Sequence, residues 1–248
     1  MAADPIAPLF VGLQAPQGAG KTTLARRVKE VLTSSPHSLN LVIFSLDDLY
    51  LTHENLVRLA EKHAGNALLK GRGQPGTHDV ELCQKILEDL AVINTPGASE
   101  VQIPFFDKSL FGGEGDRTTQ GAQNIKGPVD VVLLEGWCMG FFPINNQELE
   151  TQYEVVTGFS SPPDDPTSVD LKKLVGKHTV AQVQVVNDYL REYAEKIYPF
   201  FDTMINVGIS SGSLLKSHSD ADAAPRSLRQ RTVSIPLSTT GDFNKNII

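Results

Sequence analysis

Ala15-Pro16-Gln17-Gly18-Ala19-Gly20-Lys21-Thr22-Thr23 is the stretch on which the reading of this chain turns. An apolar run, Pro8-Leu9-Phe10-Val11-Gly12-Leu13, precedes it and reads as a buried strand. After it, Leu24, Val28, Val31 and Leu32 recur at helical spacing. A glycine-rich turn between a strand and a helix brings backbone N–H groups together on an anion. Gly18 and Gly20 let the chain curl, and the helix N-terminus adds a partial positive charge. Lys21 is placed to reach terminal phosphates, and the Thr22 hydroxyl suits Mg²⁺. The segment reads as a phosphate-binding loop, with Gln17, Gly18, Ala19, Gly20, Lys21, Thr22 and Thr23 as nucleotide-binding residues. The pattern G-x-x-x-x-G-K-[ST] wants glycine where Ala15 stands. A methyl is tolerated there if φ stays negative.

The 248 residues suit one domain, or one domain with an appendage. Twenty-two basic residues against 29 acidic ones give a net charge of −7, with no basic tract. This excludes nucleic-acid binding by a charged surface. Cys83 and Cys138 fit no metal or redox spacing and read as small apolar residues in a reduced compartment. No apolar run approaches the roughly 20 residues of a membrane span. Met-Ala-Ala-Asp-Pro before the first strand leaves no room for a leader, so the expected location is the cytoplasm.

Strands are expected at 8–14, 39–45, 129–134 and 203–207, and helices at 21–33, 54–64, 79–93 and 179–197. Alternation of the two argues for an α/β protein with a parallel sheet covered on both faces. Residues 95–128, rich in Gly and polar groups, are expected to be irregular, and 158–168 a surface loop. From Gly208 onward the composition turns to serine, alanine and aspartate. There only Thr232-Val-Ser-Ile-Pro-Leu237 reads as a strand, and the tail from 208 to 248 is expected to be mostly disordered. The folded domain is thus drawn as residues 1–207.

In parallel sheets, ligands bind beyond the C-terminal ends of the strands. Asp47 and Asp48 follow the second strand, Glu135 the third, and the loop the first, so all should face one crevice. Adjacent carboxylates point apart, so one is expected to act as a base and the other to cap the helix near 54. Trp137 and Phe141-Phe142 read as core.

Ser45-Leu-Asp-Asp-Leu-Tyr50 and Leu134-Glu-Gly136 resemble the phosphoribulokinase, uridine kinase and pantothenate kinase group of P-loop small-molecule kinases. Three further blocks resemble the plant and fungal D-glycerate 3-kinase family. They are Gly71-Arg-Gly-Gln-Pro-Gly-Thr-His-Asp79, Pro104-Phe-Phe-Asp-Lys-Ser109 with Gly115-Asp-Arg117, and Leu134-Glu-Gly-Trp-Cys-Met-Gly140. The resemblance implies a three-layer P-loop NTPase fold with strand order 2-3-1-4 and room for a fifth edge strand. It also implies phosphorylation of D-glycerate at its 3-hydroxyl, with ATP and Mg²⁺ as cofactors. Matched residue by residue, Asp47 takes the place of the catalytic base, and Lys21 and Glu135 complete the catalytic set. Thr22 and Glu135 fall at the metal. Arg72, His78 and Asp79 fall in one acceptor-side block, and Lys108 and Arg117 in the other.

The chemistry agrees. Glycerate is a carboxylate with two hydroxyls, and it needs a cation and hydrogen-bond acceptors. Arg72, Lys108, Arg117, His78 and the nearby aspartates supply both, without singling out the cation that meets the carboxylate. The family's C-terminal lid, with its Trp-Arg and Gln-Glu pairs, has no match here. Two alternatives therefore stand beside a glycerate kinase. One is a kinase for another small hydroxylated acceptor, a nucleoside or pantothenate-like. The other is a catalytically impaired nucleotide binder. The partner is a small molecule in the first two readings, with no nucleic acid and no membrane.

Overall fold

A computed structural model describes residues 6–16, 20–158, 175–209 and 232–237. Its centre is a five-stranded parallel sheet. The strands are β1 (Leu9–Gln14), β2 (Leu41–Ser45), β5 (Val131–Gly136), β6 (Thr203–Ile209) and β7 (Thr232–Leu237), in the order β2-β5-β1-β6-β7. In the numbering of the sequence-derived strands this is 2-3-1-4 with a fifth edge strand, as the resemblance implied.

Side chains alternate strictly between two cores, because successive residues of a strand point to opposite faces. Val11, Leu13, Leu41, Val131 and Leu133 meet Leu24, Val28 and Leu32 of helix α1 (Lys21–Thr33) on one face. Phe10, Val42, Phe44, Val132 and Leu134 face the other way. There they meet α3 (Val80–Ala91) through Val80, Ile86, Leu87 and Leu90, and α5 (Val180–Lys196) through Tyr193. Burying those four aliphatic side chains of α3 contributes on the order of 10 kcal/mol before the entropic cost of ordering them. Gly12 is required by close approach: a Cβ there would lie 2.1 Å from Met204 Sδ. Cys83 and Cys138 are free and buried in the second core.

Helix ends follow local chemistry. The Thr52 side chain caps α2 (His53–Lys62), Asp79 caps α3, and Thr179 with Gln182 forms a capping box on α5.

Three expectations are corrected. Residues 95–128 are not irregular: they hold an antiparallel pair, β3 (Val101–Asp107) and β4 (Asp116–Ile125), forming a second small sheet. In β3 Val101 and Ile103 alternate inward, but the register shifts between Ile103 and Phe105, and β4 is mostly polar, with Ile125 at its end packed on the core. That leaves too short a period to read. Helix α4 (Asn146–Gly158) was also not expected, because Leu149 is its one buried residue among those described. It is held through Asn187 of α5, whose amide bonds both N–H and C=O of Ile144. Third, Asp48 does not cap the helix near 54, where Thr52 serves instead.

The loop expected at 158–168 lies outside the described residues beyond Gly158. So does the tail from 210 onward, apart from β7. No helix of the described residues is long and apolar enough to cross a membrane.

Candidate active site

Three parallel strands end side by side. Glu135 of β5 is in register with Leu13 of β1 and Ser45 of β2, which sets the exits of all three strands at one edge. Ala15 follows β1, fully buried and without a positive φ, so a methyl is accommodated in place of the motif's glycine. Gly20 opens α1 in the left-handed region, at φ 76°, where a side chain is strained. Lys21 folds back to donate to the Pro16 carbonyl at 3.2 Å. Thr23 is exposed in the first turn of α1. Gln17, Gly18 and Ala19, and the side chain of Thr22, lie outside what is described.

After β2 the chain makes a 3₁₀ turn, Leu46–Leu49, in which Leu46 and Leu49 are buried. Ser45 and Asp48 close this turn as a capping box: Ser45 Oγ accepts from Asp47 N, and Asp48 accepts from Ser45 N. Asp48 is thereby committed to backbone N–H groups, that of Ser45 in its own turn and that of Phe106 in β3. Asp47 is not, and each of its oxygens finds a side-chain donor. Tyr50 O–H donates to Oδ1 at 3.0 Å, and Lys108 Nζ donates to Oδ2 at 2.7 Å.

The electrostatics differ for the three carboxylates. Burial pushes Asp47 up, but the bond and charge of Lys108 and the Tyr50 hydroxyl outweigh it, and the carboxyl sits below its ordinary value. Burial raises Asp48 despite its backbone bonds. Glu135 is raised by burial, and further by the charges of Asp47 and Asp48. A Ser45 hydrogen bond and Lys21 only partly offset this.

Glu135 Oε2 is buried with no partner. A buried carboxylate oxygen seldom goes unpaired, and this one, among acidic neighbours, fits a hard cation. Among the described residues no three His, Cys, Asp or Glu side chains form a metal cage. The orphaned carboxylate oxygen is the kind of ligand Mg²⁺ takes, since that ion commonly uses one or two carboxylates and completes its shell with phosphate and water.

The acceptor-side residues are drawn together by the β3–β4 hairpin. Asp79 caps α3 through Oδ1 and pairs through Oδ2 with Arg117 at 2.9 Å. Arg72 donates to the carbonyls of Gly113 and Glu114 in the hairpin turn, with its guanidinium 5.7 Å from the Phe106 ring centre. His78 is 3% exposed, stacked on Tyr50 at 4.4 Å, with Nδ1 2.7 Å from Tyr193 Oη. Burial pushes its pKa down to about 3, so it is neutral. Lys108 lies just past β3, its side chain 53% exposed.

Some site residues were missed in the sequence. Tyr50 carried a usable signal, since residues three apart eclipse on a 3₁₀ turn and Asp47 to Tyr50 is that spacing. His53 carried none. Its ring stacks on Phe111 at 3.9 Å, its Nε2 lies 2.6 Å from Glu114, and its backbone N–H donates to Asp116. It pins the hairpin turn to the start of α2. Trp137, read as core, is partly buried, and its indole N–H donates to the Gly73 carbonyl at 3.0 Å. That bond ties the Gly71–Gly76 loop to the end of β5. A cavity of about 400 Å³ beside Asn94, Gly127 and Pro128 contains none of these side chains and lies by the N-terminal end of β5.

No family model matches the chain. It is 43% identical over 139 residues to the probable ATP-dependent kinase TDA10 of Saccharomyces cerevisiae, covering 55% of this chain and 48% of that protein. It is 37% identical over 157 residues to the chloroplastic D-glycerate 3-kinase of Arabidopsis thaliana, covering 62% of this chain and 34% of that one. The chain thus spans between about a third and half of the length of these curated relatives. Among solved structures, D-glycerate 3-kinase from Cryptococcus neoformans superposes with a TM-score of 0.72 at 34% identity, over 85% of this chain and 67% of that one. The three-layer architecture is the P-loop kinase fold.

Proposed function

The chain belongs to the D-glycerate 3-kinase family of P-loop kinases, and from that premise we propose that it transfers the γ-phosphoryl group of ATP to the 3-hydroxyl of D-glycerate. The observation that carries this reading is the meeting of Lys21, Asp47 and Glu135 where β1, β2 and β5 end together.

In this reading Lys21 and the backbone N–H groups of residues 17–23 grip the β- and γ-phosphates. The acceptor oxygen closes on the γ-phosphorus while its proton passes to Asp47. The bond to the bridging oxygen breaks, and its electron pair leaves with ADP. Asp47 suits the role because Lys108 and Tyr50 overcome its burial and keep it ionised at neutral pH. When bound, Mg²⁺ would neutralise phosphate charge, and Glu135 with Thr22 would hold it. Arg72, His78, Asp79 and Arg117 build the frame on the acceptor side. His78 does so through Tyr50, which bonds the base.

The test is ADP release from Mg·ATP with and without D-glycerate, with the product identified by ³¹P NMR. Glycerate-dependent release and 3-phosphoglycerate are expected. Stimulation by a nucleoside or pantothenate instead would overturn the acceptor. ATP binding without stimulation by any acceptor would overturn turnover.

A further inference from the structure

We propose that Lys108 is the residue that reads the acceptor's charge: its ammonium takes the carboxylate of a small hydroxy acid and, in doing so, uncovers Asp47. The inference rests on the kinase reading above and deepens it, since sequence alone left four candidates for this contact.

The structure separates them by what each side chain already does. Arg117 is 17% exposed and paired with Asp79, itself only 24% exposed and needed to cap α3. Taking Arg117 away would strand a carboxylate in the fold. Arg72 spends its guanidinium on two carbonyls of the hairpin turn and on the face of Phe106. His78 is closed in between Tyr50 and Tyr193. Lys108 alone of the four is half exposed and long enough to swing, and its partner is the base itself. Lys21 is occupied at the nucleotide loop.

Lys108 is also held beside the base by the turn that follows it. Asp107 Oδ1 accepts from both N–H and O–H of Ser109, which turns the chain sharply after Lys108. Arg72 and His53 fasten the far side of that turn. The ammonium therefore stays beside Asp47 Oδ2 while its flexible stem lets it move.

The pairing has a consequence for selectivity. With Lys108 on Oδ2 and Tyr50 on Oδ1, both oxygens of the base are already engaged by donors. An anionic acceptor competes for the ammonium and frees Oδ2 as it binds. A neutral alcohol offers no such exchange. Charge recognition and exposure of the base become one event.

The experiment compares wild type, Lys108→Met and Lys108→Arg, with D-glycerate and with glycerol, which keeps the hydroxyls and lacks the carboxylate. Loss of a charge-assisted contact predicts a KM for D-glycerate raised roughly 10- to 100-fold in Lys108→Met. The KM for ATP should hold, the preference for glycerate over glycerol should collapse, and Lys108→Arg should recover most of it. A KM within about twofold of wild type in Lys108→Met would overturn the proposal. If wild type transfers nothing to D-glycerate, the acceptor reading fails separately. Calorimetric binding of glycerate, lactate and propionate to the protein loaded with a non-hydrolysable ATP analogue then decides the matter. Carboxylate binding that vanishes in Lys108→Met sustains the inference. Binding that survives the substitution, or no carboxylate binding by wild type, overturns it.

Discussion

Acidification from pH 7 to pH 5 is expected to remove about 2 kcal/mol of stability through one side chain, His78. The imidazole is enclosed by Tyr50 and Tyr193 and held neutral, with its pKa pushed down to about 3 by burial. In the unfolded chain it returns to about 6.5. Because the folded value is the lower one, the contribution is complete above pH 6.5 and lost as pH falls toward 3. Over that window the unfolded state takes up a proton that the folded state refuses. At pH 5 the unfolded chain is favoured by about 1.5 pH units' worth of protonation at 1.36 kcal/mol each, which gives the figure above. Urea unfolding followed by the fluorescence of Trp137, the one tryptophan, reads it directly. Wild type should be compared with His78→Gln, whose amide can still bond Tyr193 but does not titrate. Other groups titrate too, including His63, whose pKa is lowered by burial, but they are present in both proteins and cancel in the difference. The stability gap between the two proteins should shift by about 2 kcal/mol between pH 7 and pH 5. Parallel pH profiles would refute the argument and mean that His78 protonates in place.

Further expectations address the chemistry and the core. Asp47→Asn should leave ATP affinity intact and lower kcat by about 10²- to 10⁴-fold, as loss of a general base does; equal rates would remove Asp47 from that role. Lys21→Ala should weaken ATP binding in equilibrium titration and lower transfer with it, and unchanged affinity would sink the loop assignment. Gly12→Ala forces a methyl onto Met204 Sδ in the central strand and should cost about 1–3 kcal/mol in urea unfolding, partly recovered by adding Met204→Ala. His53→Ala releases the hairpin turn from α2, so limited proteolysis should cut within residues 108–115 faster, with ATP affinity unaltered.

The central sheet was legible because its signals are local. Val131 to Leu134 are an unbroken apolar run buried on both faces, and the helix over 21–33 begins at its glycine loop. The hairpin was not, because Val101 and Ile103 alternate only briefly before the shift at Phe105. The site divides in the same way. Placing Asp47 and Glu135 at neighbouring strand ends needed only the order of elements. Lys108 lies 61 residues from Asp47 in the chain, and His53 the same distance from Glu114. Such pairings are decided by how the hairpin docks, which no periodicity encodes. Asp79 and Arg117 were read separately as acceptor-side groups, and the fold joins them to each other.

The two-stranded sheet has a consequence for how such a protein changes over generations. It shares no ladder with the five-stranded sheet, and its turn meets the rest of the site through side chains: Lys108 with Asp47, Arg72 with two carbonyls, and His53 with Glu114. Rewriting residues 107–116 therefore breaks no hydrogen bond of the sheet that carries the phosphate loop. On the reading proposed here, a lineage can trade one acceptor for another by editing a ten-residue cassette while its nucleotide grip is inherited untouched.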